Sequence, residues 1–205
     1  MKLKDKKVLV FGAGKSGIAA ARMLQRLGAF LVLYDGNEAI DIGAFEDRLD
    51  TSKNLEAYFG EFPMDILGDI SLMILSPGIS IDHPFVKKIK EKGIPVWGEI
   101  ELAYRYSKGK IIGITGTNGK TTTTSLVGDI IRTYYDEVYV VGNIGSPYTD
   151  IALDSSDESV TIIELSSFQL ETIHEFKPAI SVILNITPDH LNRHHTMENY
   201  IQIKK

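Results

Sequence analysis

Short apolar runs alternate with helical patterns along the first half of the chain. Apolar residues recur at helical spacing over residues 16–27 and 84–92, and Gly28 and Gly93 follow as stops. Strands are predicted at residues 7–11, 29–34, 72–75 and 95–97. Strand–helix–strand units at this spacing predict a parallel sheet with right-handed crossovers. Residues 36–70 have no clear period and receive no assignment.

The same alternation begins again after residue 98. A second set of strands is predicted at residues 111–115, 137–141, 160–165 and 180–185, with helices at 99–106 and 121–133. The sequence ends within a further helical pattern at 197–205. We therefore predict an α/β protein with two domains. A Rossmann-like domain covers residues 1–98, and part of a P-loop, mononucleotide-binding parallel-sheet domain covers residues 99–205.

Composition narrows the class of protein. Hydrophobic residues make up 43% and charged residues 24%, as in a soluble globular protein. No apolar run approaches the roughly 20 residues that span a membrane. The absence of cysteine excludes disulfides, thiol catalysis and cysteine-ligated zinc, and it fits the cytoplasm. A net charge of −5 without a basic stripe argues against nucleic acid. We expect a cytoplasmic monomer with no membrane partner.

The segment Gly113-Ile-Thr-Gly-Thr-Asn-Gly-Lys-Thr-Thr122 follows a predicted strand and opens a predicted helix. Glycines let successive N–H groups point into one concavity that attracts phosphate oxygens. Lys120 is placed to reach the β- and γ-phosphates, and Thr121 to bind Mg²⁺. Ile114 stands where the usual motif has its first glycine, which indicates a P-loop subclass. The predicted ATP-binding residues are Gly116, Thr117, Asn118, Gly119, Lys120, Thr121 and Thr122.

A second glycine motif, Gly12-Ala-Gly-Lys-Ser-Gly17, lies between the first strand and the first helix. Asp35 stands at the end of the next predicted strand. This arrangement predicts a ligand with a phosphate group on the helix N-terminus, and Asp35 bound to a sugar or base. The ligand could be NAD, which would make the protein an NAD-dependent oxidoreductase. A glycine turn without any ligand also remains open.

Polar motifs follow several strands of the second half. Glu164 closes an apolar run and occupies the usual place of a Mg²⁺-binding carboxylate, although it could instead cap a helix. Gly142-Asn-Ile-Gly145 and Asn185-Ile-Thr-Pro-Asp-His190 also follow strands. Since the carboxyl ends of parallel strands share one edge, these motifs are expected to meet. His190 is the preferred site histidine, whereas His194 and His195 are expected to be solvated.

In combination these motifs resemble the Mur ligases, ATP-dependent amide-forming enzymes of bacterial cell-wall synthesis. The string Glu164-Leu-Ser-Ser-Phe-Gln-Leu-Glu171 is similar to that of the member that joins D-glutamate to UDP-N-acetylmuramoyl-L-alanine. Ser76–Ile79 and Trp97–Glu101 agree with that member. The resemblance implies three domains, of which this chain would carry the first and part of the second. Without the C-terminal domain, the isolated chain is expected to be inactive.

The resemblance also implies roles for individual residues. Gly14, Lys15 and Ser16 would meet the diphosphate and Asp35 the uracil. The other substrate-binding residues would be Gly78, Asn143 and Ser166. The catalytic residues would be Lys120, Glu164, His190 and Lys204. The metal ligands would be Thr121, Glu164, His190 and Lys204, the last as a carbamate.

The implied mechanism passes through an acyl phosphate, which the amine of D-glutamate then attacks. Gly36-Asn37 lacks a basic residue found after Asp35 in some relatives, and Asn192 replaces a common aspartate. The Ser166–Gln169 string favours the muramoyl substrate over the folate of a related ligase. A non-catalytic nucleotide-binding module and an NAD-dependent oxidoreductase remain the alternatives.

Overall fold

The structure is a computed structural model that describes residues 2–45, 48–50 and 54–205. The chain divides into two compact units, Met1–Leu102 and Ala103–Lys205. Each unit is built on its own parallel sheet. Within the described ranges, every helix is too short or too polar to cross a membrane.

The first unit contains a five-stranded sheet in the order β3-β2-β1-β4-β5, with all strands parallel. The strands are β1 (Lys7–Phe11), β2 (Phe30–Asp35), β3 (Leu55–Phe59), β4 (Ile70–Leu75) and β5 (Val96–Gly98). Helices α1 (Lys15–Arg26) and α2 (Pro84–Glu91) follow β1 and β4, with 3₁₀ turns at Ile42–Phe45 and Met64–Asp69. Strand β3 falls in the segment that the sequence left unassigned.

The first sheet is buried on both faces, as its continuous apolar strands require. Val8, Leu9 and Val10 are all fully buried. On one face the apolar side chains of β1, β2 and β4 form a core with Phe85, Val86 and Ile89 of α2. Strands β2 and β3 lie on one side of β1, whereas β4 and β5 lie on its other side, so the order in which strands are added reverses at β1. This switch of direction opens a crevice beyond the carboxyl end of β1.

The second unit contains a parallel sheet in the order β7-β8-β6-β9. A short helix, α3 (Glu99–Tyr104), joins the two units. The strands are β6 (Lys110–Thr115), β7 (Val138–Gly142), β8 (Val160–Glu164) and β9 (Ile180–Ile183). The helices are α4 (Lys120–Ile131), α5 (Ser167–Leu170), α6 (Leu191–His194) and α7 (Met197–Lys204), and a 3₁₀ turn covers Tyr148–Asp150.

The central strands of this sheet form the second core. Ile112 and Ile114 of β6 pack with Val160 and Ile162 of β8, and the partly buried side chains of α4 cover them. Parallel sheets flanked by helices confirm the predicted α/β class. The boundary predicted at residue 98 stays a prediction. The division into two compact units falls between Leu102 and Ala103.

Candidate functional site

A cleft of about 470 Å³ lies at the carboxyl end of β1. It collects the first-unit residues that the sequence singled out for substrate binding, namely Gly14, Lys15, Ser16, Asp35 and Gly78. Their loops follow three different strands, β1, β2 and β4. The cleft also contains residues that the sequence did not single out, among them Phe11, Tyr34 and His83.

The glycines around this cleft have two different physical roles. Gly12 has φ +105°, and a Cβ there would lie 2.7 Å from the Cβ of Ser76. A Cβ on Gly17 would lie 1.8 Å from the carbonyl oxygen of Gly12. By contrast, a Cβ on Gly14 or Gly78 would meet nothing within 4 Å, and both residues line the cleft. Packing therefore requires Gly12 and Gly17, while Gly14 and Gly78 leave open space for a ligand.

Asp35 is held in one orientation by the backbone. Its Oδ2 accepts a hydrogen bond from the N–H of Ala13 at 2.8 Å, and its Oδ1 accepts one from Asn37 at 3.0 Å. Each carboxylate oxygen has further lone pairs, so Asp35 can still accept a hydrogen bond from a sugar or a base. Ser76 donates to the carbonyl of Gly12 at 3.0 Å and joins the loop after β4 to the glycine motif.

In the second unit the glycine-rich loop connects β6 to α4. Gly119, at the N-cap of α4, has φ +83°, a left-handed conformation that favours glycine. Lys120 turns back over this loop and donates to the carbonyls of Gly116 at 3.1 Å and Thr117 at 2.9 Å. Its ammonium group therefore lies against the glycine-rich loop, and its contact with a phosphate stays a prediction.

A second loop, which follows β9, braces the glycine-rich loop. Asn185 accepts from the N–H of Asn118 and donates to its carbonyl, both at 2.9 Å. Thr187 donates its N–H to the hydroxyl of Thr117 at 3.0 Å. Asn185 thus supports the glycine-rich loop, a role that its position after a strand does not reveal from sequence.

Glu164 is almost completely buried at the end of β8, and both of its oxygens are hydrogen-bonded. The Thr121 hydroxyl donates to Oε2 at 2.8 Å, and the Asn143 amide donates to Oε1 at 2.7 Å. Three predicted site residues from the ends of β7 and β8 and the start of α4 are thereby in direct contact. A carboxylate beside a threonine hydroxyl supplies the oxygen ligands that Mg²⁺ prefers.

Lys204 is buried near the end of α7 and donates to the Thr115 hydroxyl at 3.1 Å and the Gly116 carbonyl at 3.0 Å. Burial, reinforced by the nearby charge of Lys120, lowers the pKa of Lys204 to about 8. One turn earlier, the Tyr200 hydroxyl lies 3.0 Å from that of Thr117. Helix α7 is therefore bonded to the glycine-rich loop at two points.

His190 caps α6 in a left-handed conformation, with φ 52°. Its ring packs on Phe168, with the ring centroids 4.8 Å apart, and its Nε2 lies 3.4 Å from Asp189 Oδ2. The expectation that His194 is solvated was wrong. His194 is buried, its Nε2 lies 2.9 Å from the Ser167 hydroxyl, and desolvation lowers its pKa. The short helix α5, which the sequence pattern did not reveal, creates this burial.

A cavity of about 250 Å³ brings the second-unit residues together. Gly116, Lys120, Asn143, Ser166, His190 and Lys204 all line it. Among the described residues, no three His, Cys, Asp or Glu side chains cluster closely enough to hold a metal ion by themselves. Any Mg²⁺ here would need oxygens from a ligand such as a triphosphate besides those of Thr121 and Glu164.

Comparison with known proteins finds two domain matches and several relatives. The description "Mur ligase MurD-like, N-terminal domain" matches residues 6–98, and "Mur ligase middle domain" matches residues 114–205. A "UDP-N-acetylmuramoylalanine--D-glutamate ligase" of Lachnospira eligens is 57% identical over 100% of this chain and 45% of its own length. The protein of that name from Clostridioides difficile is 50% identical, with the same coverage. The chain thus spans less than half the length of these curated relatives.

A murein peptide ligase from Psychrobacter arcticus shares the fold, with a TM-score of 0.57 and 14% identity over 97% of this chain and 46% of its own. The two domain matches together cover almost all of the chain, and both lie in the order that the fold shows. These matches support a ligase and not the alternative of an NAD-dependent oxidoreductase. The chain belongs to the Mur ligase family, of which it carries the N-terminal and middle domains.

Proposed function

We propose that the protein of which this chain is part joins D-glutamate to UDP-N-acetylmuramoyl-L-alanine with ATP, as the names of its relatives indicate. The first cleft would bind the UDP substrate through Gly14, Lys15, Ser16, Asp35 and Gly78. The second unit would bind ATP through residues 116–122, with Asn143 and Ser166 on the substrate. We further propose that the protein acts as a monomer in the cytoplasm.

The observation that carries this proposal is the convergence of the second-unit residues on one cavity. Lys120, Asn143, Ser166, His190 and Lys204 come from separate loops and helices, yet all five line the same space. Buried Glu164 lies behind them, bonded to Thr121 and Asn143. Positive charge and hydrogen-bond donors concentrated around a phosphate-binding loop are the groups that phosphoryl transfer needs.

The chemistry follows from the charges in this cavity. The substrate carboxylate attacks the γ-phosphorus, ADP leaves, and the amine of D-glutamate then displaces phosphate from the acyl phosphate. Lys120 donates to the oxygens on which negative charge grows. Mg²⁺ on Thr121 and Glu164 would add positive charge at the same place.

Lys204 has the property that carbamate formation demands. Only a neutral amine attacks CO₂, and a pKa of about 8 makes the neutral form far more common near neutral pH than for an ordinary lysine. The product is negatively charged and, unlike an ammonium, can ligate a cation. We therefore propose that Lys204 carries a carbamate and joins Thr121, Glu164 and His190 around the metal.

Calorimetric titration of the whole chain tests the two binding sites separately. We expect UDP-N-acetylmuramoyl-L-alanine and ATP with Mg²⁺ to bind saturably and independently. Gly14→Ala should weaken only the UDP ligand, because the new methyl group fills ligand space while meeting no protein atom. Lys120→Ala should weaken only ATP, because it removes the ammonium group from the loop.

Each variant is the control for the other, since each alters one site and leaves the second intact. Binding of NAD that UDP-N-acetylmuramoyl-L-alanine fails to displace would contradict the proposal. So would equal loss of both ligands in either variant, because the two sites would then not be separate.

A further inference from the structure

His83 lines the first cleft and is held there from two sides. It is the N-cap of α2, where its Nδ1 accepts a hydrogen bond from the N–H of Phe85 at 3.1 Å. Its ring packs edge-on against Phe11, with centroids 5.2 Å apart and planes at 74°. The imidazole therefore has a fixed position in the cleft wall.

The capping bond also fixes which ring nitrogen carries the proton. A nitrogen that accepts a backbone N–H is unprotonated, so the proton of the neutral ring resides on Nε2. Nε2 makes no hydrogen bond to any other described residue. The cleft wall thus contains a hydrogen-bond donor whose orientation is set and whose partner is not supplied by the described part of the chain.

Capping alone does not account for a histidine at this position. Ser, Thr, Asp and Asn are the preferred N-caps, and any of them would satisfy the Phe85 N–H with a shorter side chain. What histidine adds is a second nitrogen, beyond the capping one, on a residue that lines the cleft. The same cleft contains Lys15 and the N-terminus of α1, which favour a ligand rich in acceptor oxygens.

We propose that the Nε2–H of His83 donates a hydrogen bond to an acceptor oxygen of the nucleoside diphosphate bound in this cleft. His83 is then a ligand-binding residue of the UDP-substrate site, a role separate from its capping of α2. The proposal rests on the proposed function, because it takes the ligand to be a uridine diphosphate compound.

Two substitutions separate the two roles of the ring. Asn can replace the capping acceptor but does not reach the position of Nε2, so His83→Asn keeps the cap and removes the donor. Gln places an amide N–H₂ near the position of Nε2 but caps poorly, so His83→Gln keeps the donor and weakens the cap. His83→Asn should therefore lower the ligand affinity, and His83→Gln should lower the stability of α2.

The affinity of the whole chain for UDP, UMP and uridine is measured by calorimetry, and its melting temperature by circular dichroism. His83→Asn keeps the cap and loses only the ring contact with Phe11, so it should melt above His83→Gln. It should bind UDP about tenfold more weakly than the wild type does, the effect of one lost hydrogen bond. His83→Gln should melt at a lower temperature and recover most of the affinity. A penalty seen already with uridine places the acceptor on the nucleoside, and one that needs UDP places it on a phosphate.

Two results would overturn the inference, and they can be told apart. If His83→Asn binds UDP as tightly as the wild type does, the Nε2–H has no ligand partner, while the proposed function stands. If the wild type binds none of the three uridine ligands, the proposed function of this cleft fails and the role of His83 fails with it.

Discussion

A single buried amine shows how this fold alters the chemistry of one side chain. Lys204 gives up its hydration and receives in return one hydroxyl and one carbonyl, neither of which carries a negative charge. Its charged form is therefore disfavoured, and its pKa falls to about 8. The hydrogen bonds are enough to hold the ammonium group in place but not to restore its usual basicity.

This lowered pKa makes the stability of the protein depend on pH. Below about pH 8 the folded protein bears the full penalty of the buried charge. Between about 8 and the ordinary value of 10.5, the folded state has lost this proton while the unfolded state keeps it. The free energy of unfolding should therefore rise with pH across this window, by on the order of 2 kcal/mol from this residue.

Urea unfolding in CO₂-free buffer, where Lys204 is a free amine, checks this expectation at several pH values. The comparison is with Lys204→Met, which keeps an apolar stem and cannot titrate. The difference between the wild type and the variant should change through the window between about 8 and 10.5. Curves for the two proteins that stay parallel across that window would show that Lys204 titrates normally.

At the scale of elements, the glycine-rich loop between β6 and α4 depends on a neighbour that is distant in sequence. The loop after β9 supplies both hydrogen bonds of the Asn185 side chain to Asn118. Asn185→Ala should cost about 1–2 kcal/mol of unfolding free energy for the two bonds and weaken ATP binding about tenfold, because the loop amides lose their fixed direction.

Thermal melting and calorimetric titration measure the two effects of Asn185→Ala. Asn192→Ala is the matched control, since it removes the same amide group from an exposed residue of α6. ATP affinity that is unchanged in Asn185→Ala, or equally reduced in Asn192→Ala, would show that the loop needs no brace.

Local sequence patterns predicted the helices and strands better than they predicted the contacts between these elements. Most strands were recognisable because their apolar runs are bounded by glycines and polar residues, although the predicted buried strand at β9 is largely exposed. Strand β3 was missed because it has only partly buried residues and an exposed Glu56, so its pattern is weak. Helix α5 has four residues, too few to show a period.

The site was predictable where a residue type signals its own chemistry, as with Lys120 and Glu164. It was not predictable where a common residue acts through a distant contact. Asn185 gave no sign that it braces Asn118, and His194 gave no sign that it is buried against Ser167. His83 was missed because its part in the cleft depends on the cap geometry of α2.

On the scale of the whole molecule, the two units have separate cores and separate sheets. Each sheet also has its own cavity at the carboxyl ends of its strands. We therefore expect calorimetric melting to resolve two transitions, one for each unit. UDP should raise the melting temperature of one transition, and ATP with Mg²⁺ that of the other, since a ligand stabilises the state that binds it.

The variants of the two sites show which melting transition belongs to which unit. Gly14→Ala should remove the shift caused by UDP, and Lys120→Ala the shift caused by ATP. A single transition that both ligands move equally would show that the two cores unfold as one cooperative body.

The bonds from Lys120 to the carbonyls of Gly116 and Thr117 have a consequence for the entropy of nucleotide binding. They hold the loop in shape through a side chain at its own end, while Asn185 holds it from the segment after β9. This segment therefore loses its conformational entropy when the chain folds and not when a ligand binds. An incoming triphosphate would exchange one set of partners of the ammonium group for another, and its binding energy would not be spent on ordering the loop.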